Sequence, residues 1–472
     1  MKKFTKSQFP SVCASLAAWA RLSLVSISLL AFSAQAQTVA VVASFSGAGA
    51  SSSPEEVTPV QARNGILYGT TFGASGSNGG IFRVSTAGAL AFPYTFAEAT
   101  GGQPAGGLLQ ATDGNLYGTT TYGGESNDGV FFKITAAGAY TVLHQFAGGN
   151  DGANPMTAPI EGADGNIYGV TSGFPTANAT VYKYTPVGGN FSTVYSLGNV
   201  VATSLIQATN GNLYGTTANS YGFDTCGGIF EITTSGTLVW SYVIPCKPGN
   251  ESLGATPVQI IQASDGNFYG VDAQGGGSSN YGAIFKVDQA GNYSVIYTLP
   301  NDIQFAAGPF GLMQATDGNL YGVTEAGGQY YDGTLFKVTT SGEFTRLYSF
   351  NGKNGNGPLA APVQATNGLF YGTTELGGKN NAGTVYSYNA GLAPFVAFVL
   401  PTGALGQSAQ ILGQNLTGTT SVTFNGVAAT SFTVESNTYM TAIVPAGATT
   451  GPVVVTTPTG TLTSNVSFRI TQ

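Results

Sequence analysis

The chain has 472 residues, of which 69 are glycine, with 42% hydrophobic, 11% aromatic and only 8% charged side chains. Glycine stands at about twice its usual share but shows no three-residue period, which excludes collagen. The aromatic and aliphatic content excludes charge-driven disorder, and the shortage of charged helix formers excludes a long-helix protein. What remains is a glycine-punctuated β protein.

Residues 1–36 carry Lys2, Lys3, Lys6 and Arg21, an apolar run from Leu22 to Phe32, and then Ala34-Gln35-Ala36. A basic start, a short apolar centre and small residues at the cleavage positions read as a secretory signal peptide. The run is too short to span a bilayer comfortably, and no later stretch is longer, so no transmembrane segment is expected once the leader is removed. Without the leader, 11 basic residues face 22 acidic ones. Arg63, Arg83, Arg346 and Arg469 lie far apart in sequence, so clustered phosphate contacts, and with them nucleic acid, are not expected as a partner. Export leaves Cys226 and Cys246, and an oxidising compartment makes a disulfide between them the default expectation. Two thiols and the single His144 are too few ligands for a metal, and no cofactor motif is present.

A repeat then begins. The motif Asx-Gly-x-hydrophobic-Tyr-Gly recurs seven times, with tyrosines at 68, 117, 168, 214, 269, 321 and 371. Such a period marks a repeat architecture in which each copy is one supersecondary unit. In the second copy, Leu108 to Thr112 reads as a strand, Asp113-Gly114 as a tight turn, Leu116 to Thr120 as a second strand, and Gly123 to Gly129 as a loop. Val130 to Thr135 and Tyr140 to Phe146 supply two more strands. Four antiparallel strands per copy make the blade of a β-propeller, and Asx-Gly suits two-residue hairpin turns. Third strands repeat an aromatic beside a polar residue, as in Phe131-Phe132-Lys133, which predicts one face on a neighbouring blade and the other in water. The seventh copy stops after its third strand at Asn389, while Thr38 to Gly47 resembles an orphan fourth strand. The inference is a seven-bladed propeller over residues 37–391, its last blade completed by the N-terminal strand, which removes an open edge. A parallel β-helix is the alternative, although its coils are usually shorter than half this period.

From about residue 392 the composition shifts to Thr, Val, Ala and Gly in short alternating segments, which predicts an independent β-sandwich over 392–472. Phe424-Asn425-Gly426-Val427, Ile443 to Gly447 and Gly451 to Val455 resemble, in order and spacing, the immunoglobulin-like IPT/TIG domain. The repeat itself, through Asp113 to Thr120, Gly123-Gly124 and Gly129 to Lys133, resembles the tandem GloVer repeat of exported choice-of-anchor bacterial proteins. That resemblance covers about residues 57–390 and implies export but no particular reaction or ligand. The end at Phe468 to Gln472 lacks the apolar tail and basic terminus of an anchored member.

A residue repeated in every copy has a structural task, so a site belongs where the copies differ. Asp113, Asp164, Asp265 and Asp317 are replaced by Asn in three copies, which makes them turn formers and not calcium ligands. The Lys and Arg residues of the third strands read as a solvated ladder, and His144 as a surface or packing residue. Propeller ligands usually sit where the loops between second and third strands converge. Those loops offer Tyr122, Glu125, Asp128, Tyr281, Glu325, Tyr330, Tyr331, Asp332 and Glu375, along with Tyr221, Asp224 and Lys379. Tyrosine faces cover sugar C–H patches while carboxylates accept hydroxyl protons. The leading expectation is an exported, non-catalytic protein in adhesion or glycan binding, whose partner is an extracellular glycan or a cell-surface protein. A glycoside hydrolase or lyase using the same carboxylates is the alternative, and a purely structural surface component is a third.

Overall fold

The computed structural model describes residues 38–73, 76–173, 177–219, 225–245, 255–276, 280–300, 302 and 304–471. The leader, Tyr221, Asp224 and Cys246 lie outside the described residues, and with them the expected disulfide. Among the described residues the fold is all-β, relieved by one 3-10 turn at Glu98–Thr100.

Each repeat copy forms one four-stranded antiparallel sheet in chain order. The second copy is representative, with strands Leu109–Gln110, Leu116–Thr120, Val130–Ile134 and Tyr140–Gln145. Only the seventh sheet departs from this order. It joins Val363–Gln364, Phe370–Thr374 and Thr384–Tyr388 to the N-terminal strand Val39–Ser44, which pairs antiparallel with Thr384–Tyr388.

Two features of the motif explain themselves in the structure. At the turn, Asp113 Oδ1 accepts the Asn115 backbone amide, and Oδ2 accepts the Tyr117 hydroxyl at 2.7 Å. Where the copy carries Asn, the bond reverses, and Asn64 Nδ2 donates to Tyr68 Oη at 3.0 Å. Asx and Tyr are therefore one unit that ties the turn to the second strand. The glycine after the tyrosine answers a different need, since its backbone is not left-handed. Gly118 pairs across the ladder with Phe132, whose ring lies over it, and a Cβ there would stand 2.6 Å from that ring. The same pairing holds from Gly69 with Phe82 through Gly372 with Tyr386.

Hydrophobic cores lie between sheets, not within them. Tyr117 and Phe131 of the second sheet pack with Ile167 and Tyr182 of the third, and corresponding clusters join each sheet to the next. A further cluster unites Tyr371 and Val385 of the seventh sheet with Val57, Leu67 and Phe82 of the first, capped by Phe45 from the N-terminal segment. Sandwiching each sheet between two others corrects the expectation of one wet face. The third strands are buried on both faces, and only the position of Arg83 and Lys133 reaches solvent. Glu231, at that position in the fourth sheet, is buried and held by Asn210 and Asn212.

Beside each Asx-Gly turn, the first strand's terminal Gln or Glu accepts a backbone amide from the preceding sheet. The amides of Arg63, Thr112, Ala163, Thr209, Ser264, Thr316 and Thr366 donate to Gln110, Glu161, Gln207, Gln262, Gln314, Gln364 and Gln61, at 2.7–2.9 Å. The last of these bonds runs from the seventh sheet to the first, so the series is cyclic. The arrangement is propeller-like.

Beyond residue 392, two four-stranded sheets enclose a separate core that includes Ile411, Val422, Phe424, Met440, Val455 and Phe468. One sheet orders Ala397–Phe398, Ser408–Leu412, Tyr439–Ile443 and Phe432–Val434. The other orders Val427–Ala428, Ser421–Phe424, Val453–Thr457 and Gly460–Thr463.

Candidate functional site

Second strands run from the Asx-Gly turn to the following loop, so turns and loops occupy opposite edges of every sheet. The turn edge is occupied by the C-terminal sandwich. Arg63 Nη2 donates to the carbonyls of Ala111 and Thr112 and to Gln410 Oε1, while its guanidinium lies 5.0 Å from the Tyr439 ring centroid. Thr438 Oγ1 donates to Arg63 O at 2.8 Å, Gln414 Nε2 to Thr366 Oγ1 at 2.8 Å, and Arg469 to Thr209 O. Turns of the first, second, fourth and seventh sheets are thus engaged. A cavity of about 420 Å³ at this junction is lined by Glu161 and Asp164 from the third sheet and by Gln407 and Gln410 from the sandwich. Glu161 replaces the Gln of the other six copies. Burial raises its carboxyl, and the bonds from Thr112 work in the opposite direction. Burial also opposes the charge of Asp164, but the hydrogen bonds from Tyr168 and Asn166 prevail and leave its carboxyl below the ordinary range.

The loop edge carries the residues singled out from sequence. Chain segments entering the first strands meet there, as where Thr58 Oγ1 donates to Ala361 O at 2.9 Å. Glu325 and Glu375, at the ends of the sixth and seventh second strands, come into one electrostatic group with Glu55 and Glu56 from the segment entering the first sheet. Burial, then Glu375, lifts Glu55 to about 7. Glu56 is exposed as a residue, yet desolvation of its carboxyl and then the charges of Glu55, Glu325 and Glu375 lift it to about 7 as well. Glu375 is raised by burial and by Glu325. Like charges held close together disfavour ionisation, so Glu55 and Glu56 keep their protons to higher pH than an ordinary carboxyl.

Tyr122 is 41% exposed and lines a second cavity, of about 230 Å³, between the first and second sheets. Glu125, Asp128, Tyr281, Tyr330, Tyr331, Asp332 and Lys379 do not line that cavity. Glu125 is exposed on its loop, and Asp128 is raised by burial and then by Asp151. Tyr281 is half-buried, and its carbonyl accepts the Gly308 amide. Tyr330 and Tyr331 are each 49% exposed, with the Tyr331 hydroxyl accepting from Gln304 at 2.8 Å. Burial raises Asp332, whose carbonyl accepts the Gly357 amide. His144 stacks on Phe191 with centroids 3.5 Å apart and bonds Asp151 at 2.9 Å, a packing arrangement.

Sequence reasoning centred on second-to-third loops passed over the segments between copies, which supply Glu55, Glu56, Glu98 and Gln103. One signal was available, since Glu55-Glu56 is the only adjacent glutamate pair in the sequence.

A family model described as the Gloeobacter/Verrucomicrobia repeat matches residues 28–203, 176–308 and 257–444. No curated protein matches. Among solved structures, the WD40 β-propeller domain of Doa1 aligns with a TM-score of 0.50 at 10% identity, over 75% of this chain and 97% of that one. An oligogalacturonate lyase from Vibrio parahaemolyticus gives 0.50 at 12% identity, over 76% and 94%. Hydrazine synthase of Kuenenia stuttgartiensis gives 0.50 at 12% identity, over 71% and 96%. At these identities the likeness is one of fold. Among the described residues no helix is long and apolar enough to cross a membrane.

Proposed function

The chain belongs to the Gloeobacter/Verrucomicrobia repeat family, and from that premise we propose an exported, non-catalytic binding protein that holds extracellular glycans through the loop edge of its sheets. In this reading the seven sheets are the blades of one closed propeller, and the C-terminal sandwich is an immunoglobulin-like module of IPT/TIG type. Residues 1–36 are the export signal, and Cys226 pairs with Cys246. One observation carries the functional part: the sandwich occupies the turn edge, leaving exposed tyrosines and carboxylates on the opposite edge. Exposed aromatic faces beside hydroxyl acceptors are what sugar recognition uses.

A glycan array probed with the mature protein tests this. Retention of carbohydrate by the intact chain supports the proposal, and silence across neutral and acidic glycans removes it. The glutamate group favours one second reading, a glycoside hydrolase with raised Glu56 as acid and a neighbouring carboxylate as base. Release of reducing ends from a bound polysaccharide, abolished by E56Q, would establish hydrolysis. Binding without product establishes the non-catalytic reading.

A further inference from the structure

The cavity beside Tyr122 exists because the second copy departs from the repeat. In the seventh sheet the corresponding backbone bridge pairs Asn356 with Leu376, whereas in the second it pairs Gly102 with Tyr122. Aligned on the double glycine that follows, Gln274, Ala326 and Leu376 stand where Tyr122 does, so among the four copies with that double glycine only the second carries an aromatic there. Gly102 removes the side chain that would fill the floor, and the Asn78 side chain lies over it, with Oδ1 3.2 Å from the position a Cβ would take.

The walls are fixed by backbone bonds. Gly102 and Tyr122 exchange amide-to-carbonyl bonds of 2.8 and 3.1 Å, and Gln103 N donates to Asn78 O at 2.8 Å. Asn127 Oδ1 accepts the Gly123 amide at 2.9 Å. Gln103 and Asn127 both hold left-handed backbone, with φ of 52° and 59°, which costs non-glycine residues energy and persists where the surroundings enforce it. Asn78, Glu98, Gln103 and Tyr122 line this frame, and their side-chain polar groups have no hydrogen-bond partner among the described residues. The cavity therefore offers one ring face, two amides that both donate and accept, and one acceptor, with neither Lys nor Arg in its lining.

We propose that this cavity is a subsite for one neutral pyranose residue of an extracellular glycan. The proposal rests on the glycan-binding reading above and narrows it. A volume of about 230 Å³ lies below that of sites enclosing drug-sized ligands, which restricts the occupant to about one ring. Stacking on Tyr122 covers the apolar C–H face of a pyranose, and the amides and Glu98 take its hydroxyls. Glu98 repels a uronate or sulfated sugar, and no cation in the lining offsets it.

The experiment compares immobilised neutral oligosaccharides, cellohexaose, mannohexaose and xylohexaose, with polygalacturonate and chondroitin sulfate, using the mature chain and its variants. Binding to a neutral oligosaccharide, weakened at least tenfold by Y122A and by Q103A and less than twofold by Y330A/Y331A, supports the subsite. Unchanged melting temperatures separate lost contacts from lost fold. Preference for the acidic polymers overturns the subsite. Neutral binding lost in Y330A/Y331A but untouched in Y122A also overturns it, while leaving loop-edge glycan binding in place. No binding to any of the five ligands overturns both.

Discussion

At the scale of single residues, the motif glycine and the aromatic ring above it form one packing unit. A methyl group at Gly118 would stand 2.6 Å from the Phe132 ring, so G118A must push that ring into a filled intersheet core. Urea unfolding is expected to show a loss of about 1–3 kcal/mol, the usual effect of overpacking. The opposite holds where Tyr replaces Phe as the covering ring. The Tyr182 and Tyr386 hydroxyls are buried and have no partner among the described residues. Removing them in Y182F and Y386F leaves the ring in place and relieves an unsatisfied group, so the same assay should show stability unchanged or raised by up to about 1 kcal/mol.

The glutamate group gives a pH dependence of definite sign. Glu55 and Glu56 rise from the ordinary 4.5 to about 7 in the folded chain. Between those values the folded state keeps protons that the unfolded state has released. Their contribution is therefore complete below about 4.5 and is lost as pH rises through 7. E56Q should raise the melting temperature by about 1–2 °C at pH 8 and leave it unchanged at pH 4, a small effect because the side chain touches solvent. A larger gain at pH 4 than at pH 8 would contradict the raised carboxyls.

At the scale of elements, the Asx-Gly turn serves three ends at once. Its Asx binds the second-strand tyrosine, its flank donates to the next sheet, and in the first, second, fourth and seventh sheets it receives the sandwich. Arg63 is where these roles meet. R63A removes charged bonds to two carbonyls and to Gln410, and the loss is expected to reach about 2–3 kcal/mol, with faster proteolysis between the repeats and the sandwich. R83A, on an exposed side chain, should change stability by no more than about 0.5 kcal/mol.

The strand grammar within a copy is legible from sequence because it is local: turn residues, period-two alternation and an aromatic at fixed spacing all lie within about 30 residues. Contacts between copies are not. The Gln residues of the cyclic series read as ordinary polar strand ends, because nothing nearby names an amide in the preceding copy. Two of the four scattered arginines, Arg63 and Arg469, join the repeats to the sandwich for the same reason. Third strands read as half wet because alternation reports polarity, whereas their burial depends on neighbours on both sides.

For the whole molecule, the candidate site follows from which edge is covered. Composition and charge direct attention away from nucleic acid, and the repeat directs it to the loops, so Tyr122, Glu325 and Glu375 are reachable from sequence. The partners of Tyr122 are not, since Asn78, Glu98 and Gln103 belong to another loop and an intersheet connection that converge only when the first and second sheets pack. All loop positions depend in turn on the seventh sheet meeting the first. That junction is built by Val39–Ser44 on one side and by Phe45 against Phe82 and Phe92 on the other.

Amide hydrogen exchange of the mature protein tests that dependence most directly, read at Val39–Ser44 and Thr384–Tyr388 against the equivalent outer pairing of Val130–Ile134 with Tyr140–Gln145. A ring clasped by its own N-terminus predicts that the two pairings exchange together, in the slow class of global unfolding. Exchange of residues 39–44 at the rate of free peptide, with the second sheet still protected, would contradict it.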